Sequence, residues 1–151
     1  MLTLEHLFPA TIHPMVVHFT IAIVYLAGFA GVMSLFFRKG DFFVKFFLIM
    51  LVFSVLATIA AGAAGVVSES YISHYPSVIH EKLHDHKQYG VFTGVFVSIG
   101  LVFQLWKSYK TREKMLPSWI AIIVTLIAVI FVSMAGHLGG DLVYHFGFGV
   151  K

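Results

Sequence analysis

The chain has 151 residues, 59% of them hydrophobic and only 11% charged, with a formal net charge of +3. Soluble domains carry about 25% charged residues, so an ordinary water-soluble domain is excluded, and the composition is that of an integral membrane protein of one domain. The absence of cysteine also excludes disulfides, thiolate-held iron–sulfur clusters and covalently attached c-type haem.

Residues 1–14 hold His6, His13, Glu5 and Pro9 and lack the basic start of a cleaved secretory signal. From Met15 to Phe37 the chain is apolar apart from His18, Thr20, Tyr25 and Ser34. A span needs about 20 such residues, so 15–37 is read as the first helix, with Pro14 at or just before its first turn. Residues 38–41 make a short turn. The second helix is expected over 42–67, with Lys45 near its end and a block of small residues from Ala60 to Gly65 at the other. Residues 68–88 form the longest polar segment. The third span is expected over 89–106, and residues 77–88 are read as extending it above the membrane. It opens on Gly90-x-x-x-Gly94, a small-residue packing face. Basic residues fill 107–116, and the fourth helix is expected over 117–135. Trp106 and Trp119 flank this loop as an aromatic belt would. A glycine-rich tail over 136–151 closes the chain.

The expected fold is an all-α four-helix transmembrane bundle. Seven of the ten basic residues (Arg38, Lys39, Lys45, Lys107, Lys110, Arg112, Lys114) fall at one face. The positive-inside rule puts that face in the cytoplasm and both termini outside, as in a multi-pass membrane protein. All nine histidines then belong to the outer face. A wet polar rim accounts for His6, His74 and His80. It accounts less well for His18, one turn inside the first span, where a polar group is costly. His86 precedes Gly90, Thr93 and Gly94 at helical spacing. His137 ends the fourth helix, and should that helix continue through Gly139 and Gly140, His137, Asp141, Tyr144 and His145 share a face. His18, His86, His137 and His145 are therefore the primary ligand candidates for a cofactor or metal, with His13 and His84 as further cofactor-binding candidates.

Haem b takes axial histidines from facing helices and a flat slot between them, and the small residues at the outer ends of helices two and three favour such a slot. The five-residue spacing of His13 and His18 allows two ligand tiers, hence two haems. Asp85 and Asp141 are read either as acceptors for imidazole N–H groups or as solvated rim charges. The expectation is b-type haem in electron transfer, with quinol or an outer-face redox protein as partner. A zinc or copper site is one alternative; a cofactor-free subunit with a histidine-lined partner interface is another. No nucleic-acid partner is expected, an oligomer is compatible with the sequence, and enzyme status stays open, with no nucleophile–base set apparent.

Two motifs carry a family resemblance. His13-Pro14-x-x-Val17-His18-Phe19 near the start, with Gly139-Gly140-x-Leu142-Val143-Tyr144-x-x-Gly147-x-Gly149-Val150 at the end, resembles the bacterial four-helix membrane family catalogued as domain of unknown function 2231. The similarity spans essentially the whole chain. It implies an integral four-helix protein and no particular activity. The family's loop histidine falls on His84 or His86, and Thr20 stands where family members commonly have proline.

Overall fold

The computed structural model describes residues 9, 11–37, 40–71, 77–111 and 114–147, with the backbone alone for residues 77 and 78. Its helices are α1 Ile12–Phe36, α2 Phe42–Ser70, α3 Ser77–Lys110 and α4 Trp119–Tyr144. All four are long and apolar enough to cross a membrane, and no strand occurs among the described residues. In lipid only such internally bonded helices or closed barrels satisfy the backbone, so the chain is an all-α transmembrane bundle whose environment is the bilayer.

The helices form two antiparallel hairpins, α1 with α2 and α3 with α4. The hairpins meet less extensively, through α2 with α3 and α1 with α4. This order collects the start of α1, the end of α2, the start of α3 and the end of α4 at one end, with His13, His18, His80, His84, His86, His137 and His145. His6 and His74 lie outside the described residues.

Small and polar side chains face the bundle axis. Thr20, Ser54, Thr93 and Thr125 are buried, and each hydroxyl donates to a backbone carbonyl, for example Thr125 to Ala121 at 2.6 Å and Thr93 to Tyr89 at 2.8 Å. Thr20 also reaches the Ala57 carbonyl of α2 at 3.1 Å. These bonds cover polar groups that lipid cannot solvate. At the opposite end the fully buried Gln104 donates to the Leu116 carbonyl at 3.2 Å and accepts from the Ser118 N–H at 2.9 Å. It thereby fixes the chain just before α4, which Ser118 caps through the Ala121 N–H.

At the histidine end the helices run past the apolar spans. The expected extension of the third span is present, so α3 runs unbroken from Ser77 to Lys110. The fourth helix does not stop at Ala135: it continues through Gly136, Gly139 and Gly140 to Tyr144, so 136–144 is helix and not tail. A helical glycine costs about 0.5–1 kcal/mol relative to alanine, and tertiary packing outweighs propensity when neighbours close in. They do here: a Cβ at Gly136 would stand 3.1 Å from Ile21, and one at Gly139 3.0 Å from His86. The helix ends where Gly147 takes φ 65° and its N–H bonds the Val143 carbonyl, a left-handed cap.

The glycine pair expected to form one packing face is split. A Cβ at Gly94 would meet Thr58 at 3.5 Å, whereas one at Gly90 meets nothing within 4 Å. The tightest helical glycine is Gly100, whose Cβ would fall 2.9 Å from the Thr125 hydroxyl and 3.4 Å from the Ala121 carbonyl. Gly100→Ala should therefore destabilise the bundle by about 1–3 kcal/mol through overpacking. Gly90→Ala should be neutral or stabilising by up to about 1 kcal/mol. Thermal unfolding in detergent distinguishes the two, and equal effects would contradict the packing described here.

Candidate functional site

An imidazole has two ring nitrogens, and in an apolar setting both need partners. His13, in the first turn of α1, places Nδ1 3.0 Å from the Ala61 carbonyl of α2. His86 of α3 places Nδ1 2.8 Å from the Ala135 carbonyl of α4. A carbonyl only accepts, so each Nδ1 carries the proton and each Nε2 is left as the acceptor. The two Nε2 atoms face one another at 3.3 Å, with the rings edge-on, centroids 5.6 Å apart and planes at 89°. Each hairpin thus supplies one imidazole, oriented by a carbonyl of that hairpin's other helix, and the pair joins the hairpins across the diagonal of the bundle. Two lone pairs converging on one point can share one proton or bind one metal ion.

The surroundings are built for this contact. The orphan N–H of His13, in the opening turn of α1, donates to the Ser68 hydroxyl of α2 at 3.2 Å. Pro14 sits in the same turn, where no intrahelical donor is required. Gly65 lies under the His13 ring, where a Cβ would stand 3.3 Å from Nδ1, and Gly139 lies under the His86 ring. Beside the pair, Gly62, Gly90 and Gly140 face open space. Lys87 bonds Glu69 at 2.6 and 2.7 Å and ties α3 to α2 at the same end.

The remaining expected site residues are elsewhere. His18 is exposed, with Nδ1 2.5 Å from its own helix's Pro14 carbonyl. His84 is exposed on α3. His145 is exposed and bonds Asp141 at 2.6 Å; Asp141 also pairs with Lys82, whose Nζ lies 5.3 Å from the Phe146 ring centroid. His137 is exposed between two surface grooves. The four primary candidates are therefore not gathered together: His86 alone of them joins the pair, and its partner is His13. Of the two loop histidines, His86 is the inward one and His84 the outward one. Asp141 does accept from an imidazole, that of His145, while Asp85 has no such partner among the described residues. Among the described residues no three His, Cys, Asp or Glu side chains are grouped to hold a metal ion.

His13 had a sequence signal. His13, Thr20, Ala27 and Ser34 recur every seven residues along α1, and the last three are buried. His86, Thr93, Val97, Gly100 and Gln104 trace the matching stripe on α3, where the last four are buried. The inner face of each helix is its stripe of small and polar residues, and each stripe ends in a histidine of the pair.

Gly139→Ala should disturb the site, because its Cβ would press on the His86 ring, whereas Gly140→Ala meets nothing. The first is expected to lower the melting temperature in detergent and shift the His86 imidazole resonances, by about 1–3 kcal/mol of overpacking. The second should leave the resonances unchanged and the melting temperature unchanged or raised. A Gly139→Ala protein with unaltered His86 signals would contradict the described ring position.

No curated relative and no solved structure matches the chain. Residues 9–151 match the family model described as predicted membrane protein (DUF2231). Both histidines of the pair and both of their carbonyl partners lie within the matched stretch, and the chain belongs to that family.

Proposed function

We propose that this protein is a b-type haem electron-transfer protein of a bacterial cytoplasmic membrane, with His13 and His86 as the axial ligands. The observation that carries this reading is the orientation of the pair: one imidazole from each hairpin, Nδ1 held by a backbone carbonyl, Nε2 aimed at its counterpart. Carbonyl acceptors on Nδ1 are the usual outer support of a metal-bound imidazole, fixing its tautomer and raising its basicity. A metal ion held by both residues would take up the two Nε2 lone pairs, which already face one another at 3.3 Å. The donor set suits haem, which asks for two axial imidazoles, better than zinc, which takes three or four protein ligands.

The chain's own residues supply binding and orientation. Ala61 and Ala135 hold the imidazole tautomers, and Gly65 and Gly139 let the rings lie close to helix backbone. Gly62, Gly90 and Gly140 have nothing within 4 Å of an added Cβ and so leave room for a flat group against the helix backbone. Haem, when bound, supplies a one-electron couple, and quinol or an outer-face redox protein is the proposed partner. The seven-to-three division of basic residues supports an outward-facing histidine end with both termini outside.

The test is the spectrum of the protein purified from haem-replete cells. The native protein should show a low-spin Soret band. His13→Ala and His86→Ala should each lose haem or turn it high-spin, whereas His18→Ala, His84→Ala and His145→Ala should keep the native spectrum. Loss of the low-spin signal only in the second group would refute the ligand assignment. A reporter fused after Lys151 should be active only on the outer side; activity only in the cytoplasm would reverse the orientation.

A further inference from the structure

On the outer surface of the α3–α4 hairpin, a groove of about 390 Å³ is lined by Asp85, Tyr89, Ser133, Met134, His137 and Leu138. Its size falls within the range of small-molecule sites, about 300–1,000 Å³. Asp85 and Tyr89 lie one turn apart on α3, as Ser133 and His137 do on α4, so each wall is one helical face. The groove lies at the level of the histidine pair: Asp85 precedes His86, and Ser133 and Met134 precede Ala135, whose carbonyl holds His86.

The polar groups at its walls are unevenly used. The Ser133 hydroxyl donates to the Val129 carbonyl at 2.5 Å and meets the Tyr25 hydroxyl at 2.7 Å. The Tyr89 ring stacks on Phe131, centroids 6.1 Å apart. Asp85 and His137 have no partner among the described residues, although Asp85 is only partly exposed. A partly buried carboxylate without a donor is costly. The Asp85 carboxylate from α3 and an imidazole nitrogen of His137 from α4 can thus both accept, and the Met134 thioether and the Leu138 side chain line the same groove.

We infer that this groove binds the headgroup of a quinol arriving laterally from the bilayer. The argument is complementarity. A 1,4-hydroquinone carries two hydroxyl donors on opposite edges of a flat ring, which matches acceptors on opposite walls. Met134 offers that ring a sulfur–aromatic contact. The phosphate of a lipid is disfavoured by the Asp85 carboxylate, and an oxidised quinone brings acceptors alone, so the groove should prefer the reduced form. This inference rests on the electron-transfer reading, because that reading gives the protein a use for a reduced, lipid-borne donor.

The test is photolabelling of the purified protein in nanodiscs with an azido-substituted short-chain ubiquinol, followed by mass spectrometry of the labelled peptides, with the Soret absorbance recorded on each sample. Label is expected on residues 85–89 and 133–138, and an unlabelled short-chain ubiquinol should compete for it. Asp85→Asn and His137→Ala should each reduce labelling about tenfold, the value of one hydrogen bond to a charged or well-placed partner, with the Soret band unchanged; exposed Gln88→Ala should label normally. Label distributed elsewhere, undiminished label in both variants, or label suppressed by phosphatidylethanolamine in the bilayer would overturn the assignment, the last by making the groove a lipid-amine site. A native protein that labels as expected but has no Soret band supports the groove while refuting haem; a Soret band without specific label does the reverse.

Discussion

Away from water, an imidazole nitrogen without a partner costs several kcal/mol, and that cost sets the arrangement of the histidine end. His13 and His86 meet it with a carbonyl at each Nδ1, and their Nε2 atoms converge where one shared proton or one metal ion completes the set. Each carbonyl belongs to the other helix of the same hairpin, and the imidazole uses the lone pair left over after the helical bond. The bonds therefore lock α1 against α2 and α3 against α4 at one level. The contact between the rings then joins the two hairpins where they pack less extensively. Moving any one helix by a single residue would strand a ring nitrogen.

Glycine makes this arrangement sterically feasible. Gly65 and Gly139 lie under the two rings, and an alanine at either would approach the imidazole to 3.3 Å or closer. The same reasoning bears on why α4 remains helical through a segment rich in glycine: another side chain comes in at Gly136 and at Gly139. Gly31 repeats the pattern at the opposite end, where a Cβ would meet the Phe47 ring at 3.0 Å. Bonds from threonine and serine to nearby carbonyls complete the interior, and no buried side-chain nitrogen or oxygen among the described residues is left without a partner.

Span number and helix order were legible from apolar run length alone, because a bilayer needs about 20 residues per crossing. The end of α4 was not, because Gly136, Gly139 and Gly140 read as helix breakers until the side chains packed on Gly136 and Gly139 are known. The clustering of histidines at one end followed from counting along the chain. Which of them face inward did not, because that depends on helix rotation. His18 drew attention by lying deeper in the first span, yet it is five residues from His13 and so about 140° around the helix. The seven-residue recurrence through Thr20, Ala27 and Ser34 holds the rotational information and leads to His13. On α3, His84 and His86 are separated by about 200°, and the stripe through Thr93 selects His86.

The proposed function rests on a carbonyl-supported imidazole pair that joins the two hairpins at one end of the bundle. Its central claim is that both Nε2 atoms address one iron. Pulsed electron paramagnetic resonance on the oxidised protein, grown with 15N-histidine and supplied with a haem precursor, tests that claim directly. The account predicts one low-spin ferric centre coupled to two imidazole nitrogens. A folded, haem-supplied protein with no such centre, or with a single coupled imidazole, would contradict it.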